Sequence, residues 1–419
     1  MKRIAILGAG TAGTLMANKL VKRLPPGWQV TVFDEDDVHV YQPGLLFLPF
    51  GGYREDEIVK SRRPLFDRRV ELRLQPVERV DAASNTVQLG SGEKVPYDVL
   101  ILATGSRIAP DQTPGLTGKG WNETAFEFYT LAGAKALRGA LEKFEGGKLV
   151  VNVAELPIKC PVAPLEFLFL AEAFFTERGL RDKVEIVYAT PLEGAFTKPV
   201  ASATLGDMLS RRGIKVVPDF SLAEVDGGRR VIKSYDGREV PYDLFVSIPL
   251  HAGAEIIGRS GLGDGGGWVP TDKHTLQTKA HTNVFAIGDC TDLPASKAGA
   301  VAHFQGDVLI DNVMRFIEGR ALLPAFDGHA NCFIETGHGK AMLIDFNYQT
   351  EPLPGRFPLP GVGPFTLLEE SAMNHWGKLA FKWTYWNVLL AGEELPLDHH
   401  MSIAGKWQRP PSPELRSSP

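Results

Sequence analysis

The pattern that most constrains the fold of this chain is Gly8-x-Gly10-x-x-Gly13, which ends a short apolar run. The run, the glycines and the helix-permissive segment at 14–24 predict a strand, a tight turn and the start of a helix. Gly8 permits the turn, Gly10 lets the backbone approach a pyrophosphate, and Gly13 lets the helix pack near the strand. The helix N-terminus adds free N–H groups and a partial positive charge that favour phosphate binding.

An acidic residue at the matching distance strengthens this interpretation. The segment 29–33 predicts a second strand that ends at Asp34, 21 residues beyond Gly13, where a carboxylate accepts hydrogen bonds from a ribose. We therefore predict a dinucleotide site, with an ordinary glycine-rich turn as the alternative. The predicted contact residues of this unit are Gly8, Gly10, Thr11, Ala12, Gly13 and Asp34.

Length and charge narrow the class of protein. A chain of 419 residues with 44% hydrophobic and 23% charged residues is typical of two or three folded domains. The net charge of −5 gives no support for nucleic-acid binding. Three cysteines are too few for a secreted disulfide framework, and none forms a C-x-x-C pair.

The N-terminus is used as a strand and leaves no room for a signal peptide, and we find no run of about 18 apolar residues. We therefore expect a protein on the cytoplasmic side, with peripheral membrane contact left open.

Two further turns continue the dinucleotide pattern. A buried strand at 98–102 ends in Ala103-Thr104-Gly105, a turn found in many two-dinucleotide flavoproteins, where it returns the chain to the flavin pyrophosphate. A strand at 283–287 ends in Gly288-Asp289 and precedes a helix at about 298–318. Its carboxylate can bind ribityl hydroxyls, and the helix N-terminus can face the flavin pyrimidine edge. The apolar loop at 38–52 either wraps a flat ring or packs between domains.

Taken in chain order, the three turns resemble the glutathione-reductase-like FAD fold. We predict an α/β protein with two Rossmann-like βαβ domains and a C-terminal aromatic helical segment that associates with a membrane. The predicted parts are an FAD domain at 1–110 and 281–350, an inserted domain at 111–280 and a C-terminal segment at 351–419. The further predicted FAD contacts are Val77, Ala103, Thr104, Gly105, Gly288, Asp289 and Lys297.

The second βαβ unit lacks a glycine turn. Its strand at 149–153 runs into a loop at 154–166 that holds three prolines and no glycine, which argues against NAD(P)H. The loop carries Cys160 instead. A lone cysteine is most often an inert core residue, but Lys159 and the helix that follows would favour a thiolate. Cys332 is the second candidate, and Cys290 is interpreted as structural.

These residues resemble the sulfide:quinone oxidoreductase family, most specifically in Cys160-x5-Glu166. The resemblance implies that Cys160 and Cys332 form a redox pair, that Glu166 assists proton transfer, and that Lys297 lies at the flavin edge. It also implies a quinone pocket that includes Lys378, Phe381 and Phe333. The chain departs from some members, because no cysteine precedes 160 and a lysine stands at 198 in place of histidine.

The tail at 375–390 is aromatic nearly all round, which suits a membrane interface. A dimer interface or a helix that caps the core is the alternative. Both cysteines precede the tail, so we expect sulfide-driven flavin reduction to survive its removal from about residue 373.

The leading hypothesis is an FAD enzyme that oxidises sulfide and reduces a membrane quinone, with a homo-oligomer possible and no metal. A type II NADH:quinone reductase and a sulfane-sulfur-binding flavoprotein without quinone turnover are the alternatives. The flavin subunit of flavocytochrome c sulfide dehydrogenase is a further relative, but it would require an export signal, which we do not expect in this chain.

Overall fold

A computed structural model describes residues 1–395 and 398–407, and it is built on two parallel five-stranded sheets. The strands of the first sheet are, in spatial order, Val284–Ala286, Val99–Leu102, Lys2–Leu7, Trp28–Asp34 and Val70–Leu74. These strands are short apolar runs because helices cover the sheet of a parallel α/β unit. The helices Thr11–Arg23 and Gly299–Ile317 pack together beside this sheet.

The second sheet is formed by residues that lie between strands of the first. Its strands are, in spatial order, Ala125–Phe126, Leu244–Ile248, Gly147–Val153, Val184–Ala189 and Ile214–Val217. The helices of this part are Leu131–Lys143, Ala163–Glu177, Pro199–Arg211 and the short Glu255–Arg259. The α/β class and both predicted βαβ units are confirmed. The domain boundaries at 110, 280 and 350 stay predictions.

Small antiparallel sheets complete the two parallel ones. One three-stranded sheet consists of Val77–Asp81, Thr86–Leu89 and Lys94–Pro96, and another of Leu222–Asp226, Val231–Ser234 and Glu239–Pro241. Two-stranded pairs join Ser106–Ile108 to His251–Gly253 and Val38–Val40 to Val59–Ser61.

The loop at 38–52 is a packing element between the two parallel sheets. It contains the 3-10 turns Gln42–Leu46 and Leu48–Phe50. The ring of Phe50 lies 5.0 Å from that of Phe167 and 5.7 Å from that of Phe174, both on the helix Ala163–Glu177. These contacts support the packing interpretation of the loop.

The C-terminal part begins with a sheet of its own. Its strands are Ala330–Gly337, Lys340–Phe346, Gly363–Leu367, Gly355–Leu359 and the short Glu370–Ser371. They lie on both sides of the predicted boundary at 350. The first of them packs along the helix Ala163–Glu177, so the sheet adjoins the inserted part of the chain.

A helix at Ala372–Thr384 continues into a π-helical turn at Tyr385–Leu389. This part of the tail is therefore helical, but it is not aromatic on all sides. Its outer face exposes Met373, Trp376 and Trp383 at 50%, 65% and 66%, whereas its inner face carries basic side chains that pair with carboxylates. Among the described helices, none is long and apolar enough to cross a membrane. The predicted C-terminal segment includes 396–397 and 408–419, which lie outside the described residues.

Candidate active site

The three predicted turns meet at one end of the first sheet. The strands before them are parallel neighbours, so their carboxyl ends lie side by side. A side chain at Gly8 would collide with the backbone oxygen of Ala103, and one at Gly288 would come within 3.2 Å of the Ala12 Cβ atom. The turns thus brought together are 8–13, 103–105 and 288–289.

This junction retains polar groups and free space that suit a dinucleotide. A Cβ atom at Gly10 would meet no described residue within 4 Å, which leaves room for a phosphate next to the helix that starts at Thr11. The buried Thr104 hydroxyl has no hydrogen-bond partner among the residues that the structure describes. Asp289 is half-buried, and in the described part of the chain its carboxylate makes no hydrogen bond. Burial raises the pKa of Asp289, while the charges of Lys159 and Lys297 oppose that shift.

The remaining predicted cofactor residues occupy different settings. Asp34 lies at the end of its strand, where it accepts a hydrogen bond from the Ala9 N–H at 2.6 Å and pairs with Arg62. A carboxylate has about four acceptor sites, so capacity for a ribose remains. Val77 opens the strand Val77–Asp81 at the edge of a second apolar cluster.

Lys297 is held by the protein itself. Its ammonium donates to the backbone oxygens of Asp289 at 2.8 Å and Thr291 at 2.7 Å, and it lies 4.1 Å from the Trp268 ring centre. Lys297 therefore stabilises the Gly288-Asp289 turn. Lys159, which shares a backbone bridge with Lys297, makes no hydrogen bond with its side chain in the described part of the chain.

Cys160 and Cys332 come together from distant parts of the chain. Cys160 has a left-handed backbone conformation (φ 46°), and its N–H donates to the backbone oxygen of Lys297 at 2.7 Å. This bond ties the cysteine loop to the segment before the helix Gly299–Ile317. Cys332 lies on the strand Ala330–Gly337, opposite Ile344. Both are free thiols, and each lies close enough to Glu166 for that carboxylate to raise its pKa.

Glu166 and Lys378 form a buried ion pair beside the two thiols. Glu166, in the first turn of the helix Ala163–Glu177, is 1% exposed. Its Oε1 accepts hydrogen bonds from the Lys378 ammonium and, at 2.7 Å, from the Glu335 N–H. Lys378 also donates to the Phe333 backbone oxygen at 3.0 Å. A predicted proton-transfer residue and a predicted quinone residue thus belong to one cluster.

The cation that acts on the cysteines is Lys378. Burial raises the pKa of Cys160 strongly and that of Cys332 to about 12; Glu166 adds to both shifts and Lys378 opposes them. The expectation that Lys159 and the helix start favour a Cys160 thiolate is therefore wrong for the free thiol. Burial outweighs them, and the opposing charge comes from the tail.

Cys290 lies apart from this cluster. It is fully buried, and its Sγ donates weakly to the backbone oxygens of Leu102 at 3.2 Å and Ile287 at 3.3 Å. Burial raises its pKa to about 11. These contacts fit the structural interpretation of Cys290.

Of the three predicted quinone residues, Lys378 and Phe333 lie close together, since the Lys378 ammonium donates to the Phe333 backbone oxygen. The Phe333 ring meets the Phe365 ring edge-on at 5.2 Å, and a side chain at Gly377 would come within 2.9 Å of Phe333. The tail helix therefore packs directly on the strand that carries Cys332. Phe381 is one helical turn from Lys378 and packs 6.3 Å from Tyr385.

Two contacts of the tail were not predicted. His375 Nδ1 lies 3.0 Å from both carboxylate oxygens of Glu335. The Tyr385 hydroxyl lies 2.8 Å from the Thr11 hydroxyl and 2.7 Å from His39 Nε2, next to the glycine turn. The spacing of His375, Lys378 and Lys382 on one helical face was the available sequence signal. Removing the tail would take away Lys378 and the Tyr385 contact with Thr11, which weighs against the expectation that flavin reduction by sulfide survives its removal; that expectation stays a prediction.

Comparison with known proteins agrees with this architecture. The family model described as pyridine nucleotide-disulphide oxidoreductase matches residues 2–154 and 166–306. The chain belongs to the pyridine nucleotide-disulphide oxidoreductase family. The family model does not match residues 155–165, which form the loop that carries Cys160. Members of this family are FAD-dependent flavoproteins, and FAD is the cofactor of this chain.

Within the family, the chain is similar to mitochondrial sulfide:quinone oxidoreductases. It is 26% identical to that of Mus musculus over 396 residues, covering 93% of this chain and 86% of the relative. It is 28% identical to that of Schizosaccharomyces pombe over 420 residues, covering 92% and 89%. The solved structure of the sulfide:quinone oxidoreductase from Aquifex aeolicus shares the fold, with a TM-score of 0.77, 19% identity and 92% of each chain covered.

In the described part of the chain, no group of three or more histidine, cysteine, aspartate or glutamate side chains is placed to hold a metal ion.

Proposed function

We infer that this chain oxidises sulfide and passes the electrons to a quinone. The relatives named for this activity match more than nine-tenths of the chain, and the family to which it belongs supplies the flavin. The observation that carries the inference is the loop at 154–166, which holds Cys160 where a nucleotide would need a glycine turn. It places that thiol with Cys332, Glu166 and Lys378.

The residues around the glycine turns fit FAD. The N–H groups at Gly10–Ala12 would hold its pyrophosphate, Asp34 a ribose, and Asp289 the ribityl hydroxyls. When bound, FAD accepts two electrons from the sulfur reaction and returns them to the quinone. Because Tyr385 hydrogen-bonds Thr11 at the start of the phosphate-binding helix, the tail helps to hold that turn.

We assign the sulfur chemistry to Cys160 and Cys332, which in the oxidised enzyme would be joined by a disulfide, directly or across a short sulfur bridge. Hydrosulfide attacks one of the two sulfurs, the bond between the cysteines breaks, and a persulfide forms while the other cysteine leaves as a thiolate. That thiolate is disfavoured by burial and by the Glu166 charge, and Lys378 stabilises it. Among the described residues, the hydrogen bonds of the Glu166 side chain both go to Oε1, so Oε2 is available to accept the persulfide proton.

The quinone would be held by the tail and its neighbouring strand. Lys378, Phe333 and Phe381 lie where the tail helix meets the strand of Cys332, next to the outer face. We propose that the outer face, with Met373, Trp376 and Trp383, attaches the protein peripherally to the cytoplasmic side of a membrane.

Anaerobic mixing tests the proposal. We expect sulfide to bleach the flavin absorbance rapidly and NADH to leave it unchanged, because the loop around Cys160 has no glycine turn. Cys160→Ser and Cys332→Ser should each abolish bleaching by sulfide, whereas Cys290→Ser should leave it largely intact. Fast bleaching by NADH with none by sulfide would refute the sulfide reaction and favour a type II NADH:quinone reductase.

A further inference from the structure

The inner face of the tail helix makes three contacts between a basic side chain and a carboxylate, at successive turns. His375 meets Glu335, Lys378 meets Glu166, and Lys382 meets Glu57 at 3.0 Å. Each carboxylate comes from a different part of the chain: the C-terminal sheet, the inserted part and the first part. The contact of His375 differs from the other two in its chemistry. A histidine can both take up and release a proton near neutral pH, whereas a lysine ordinarily cannot.

His375 connects solvent to a buried carboxylate. Its side chain is 20% exposed, whereas that of Glu335 is 2% exposed. Nδ1 faces Glu335, and Nε2 makes no hydrogen bond in the described part of the chain. The backbone N–H of Glu335 donates to Glu166, so the buried end of this path joins the cluster of Lys378 and the two thiols.

The balance of the reaction requires such a path. Hydrosulfide gives up two electrons and one proton as its sulfur is oxidised to the sulfane level, and a quinone takes up two electrons and two protons. The sum is HS⁻ + Q + H⁺ → S⁰ + QH₂, so one proton per turnover comes from solvent. The cluster at Glu166 is buried, and that proton needs a relay through side chains or water.

We propose that His375 and Glu335 form the proton inlet for quinone reduction, an inference that rests on the proposed function. A proton from solvent binds His375 Nε2, the proton on Nδ1 passes to the Glu335 carboxylate, and Glu335 delivers it at the Lys378 end of the quinone pocket. His375 and Glu335 act in this scheme through the Lys378 end of the pocket, so they are positioning residues.

Burial of the Glu335 carboxylate favours a proton on it. Four titratable groups act on Glu335 or face it. They are His375 and Lys378 on the tail helix, Glu166 on the helix Ala163–Glu177, and Tyr53. Burial raises the pKa of Glu335, His375 and Lys378 oppose that shift, and Glu166 adds to it. Glu370, on the strand next to the tail helix, is held by Arg212 at 2.6 Å.

The test separates the two half-reactions and compares matched histidine variants. The flavin is photoreduced without sulfide, and its reoxidation by decylubiquinone is followed by stopped flow. His375→Ala should slow reoxidation about 10²-fold, the usual weight of a proton-transfer group, and imidazole in solution should restore much of the rate. His338→Ala removes another histidine–glutamate contact, with Glu172 at 2.9 Å, and should reoxidise at the unsubstituted rate.

A second variant distinguishes a relay from a structural bond. His375→Gln can keep a hydrogen bond to Glu335 but cannot relay a proton, so it should be as slow as His375→Ala, with an unchanged melting temperature. In the slow variants, proton uptake measured with a pH-indicator dye should lag in step with reoxidation. Full reoxidation rates in His375→Ala or His375→Gln would overturn the inlet alone. Failure of the unsubstituted protein to be reoxidised by the quinone would overturn the proposed function.

Discussion

Two half-buried cysteines and a buried carboxylate share one ammonium group, that of Lys378. Opposing effects act on the pKa of Lys378. Burial lowers it, whereas the charges of Glu166 and Cys160 raise it by more, so the net shift is upward. The residue therefore stays charged throughout the range in which an enzyme works. A permanent cation beside a cysteine pair makes either sulfur a better leaving group than burial alone would allow.

Replacing Lys378 tests this role through the pH dependence of thiol reactivity. In the reduced protein, the pKa of Cys160 and Cys332 already lies above that of a free thiol, so alkylation by iodoacetamide at pH 8 should be slow and should rise with pH. Lys378→Met removes the charge that opposes this shift. We expect alkylation at pH 8 to slow about tenfold per unit of further pKa rise. Bleaching of the flavin by sulfide should slow as well.

A neighbouring lysine provides the control for that experiment. Lys382→Met removes a more exposed partner of Glu57 one turn along the helix, and it should change neither alkylation nor bleaching. Its cost in unfolding free energy should be at most about 1 kcal/mol. Breaking the buried pair in Lys378→Met should cost about 3 to 5 kcal/mol, measured by denaturant unfolding. Equal alkylation rates in both variants would contradict the assignment of Lys378.

At the scale of secondary-structure elements, the tail helix has two faces with separate consequences. The inner face builds the site, and the outer face exposes large apolar side chains at 373, 376 and 383. Their spacing of three and seven residues places them in one stripe along the helix. An aromatic stripe with lysines near it suits the interface of a bilayer, where tryptophan rings lie at headgroup depth.

The outer face can be altered without touching the inner one. The double variant Trp376→Ser/Trp383→Ser should lose liposome binding by at least about tenfold, since each ring contributes about 2 kcal/mol of apolar burial. Sulfide should still bleach its flavin at the full rate. Tyr235→Ser, at an aromatic that is 80% exposed on another part of the surface, should co-sediment with liposomes like the unsubstituted protein. Unchanged co-sedimentation of the double variant would exclude the stripe as the anchor.

Much of this element-level organisation could be predicted from sequence because its signals are local. The glycine turn at 8–13, the turn at 103–105 and the Gly288-Asp289 turn each follow an apolar run, and parallel strands place such turns together. The inner face of the tail could not be predicted in this way. The partners of His375, Lys378 and Lys382 lie 40, 212 and 325 residues away, so no local pattern indicates which carboxylate each residue meets.

The misjudged Cys160 environment has the same origin. Lys159 is adjacent in sequence and suggested a stabilised thiolate, but the fold desolvates the half-buried Cys160 and thereby raises the pKa of its thiol. Burial is a property of the assembled cluster, and it outweighs what a single neighbouring charge contributes.

Across the whole molecule, the helix Ala163–Glu177 is where the parts of the chain meet. It carries Glu166 at one end and Glu172 farther along, and Arg212 joins Glu172 to Glu370 and to the Thr336 backbone oxygen. The strand that carries Cys332 lies against this helix. The distance between the two cysteines is therefore set by the contact between the inserted part and the C-terminal sheet.

Gly337 makes that contact possible and is the place to test it. It has a φ of 72°, and a Cβ atom there would come within 2.8 Å of both the Ala173 Cβ atom and the Phe169 backbone oxygen. Gly337→Ala should push the strand away from the helix and cost about 3 kcal/mol or more of unfolding free energy, as overpacking adds to backbone strain. Because Cys332 moves with the strand, sulfide-driven bleaching should slow.

Gly339, on the same turn, separates the two effects. Its φ of 66° is similar, but a Cβ atom there would meet nothing within 4 Å. Gly339→Ala should therefore cost only the backbone strain, about 1 kcal/mol, and should leave bleaching by sulfide unchanged. If the two variants lose equal stability and bleach at equal rates, the packing of the strand on the helix does not set the position of Cys332. If only Gly337→Ala is slow, the reactivity of a cysteine pair 172 residues apart in sequence depends on a glycine that lies in neither cysteine segment.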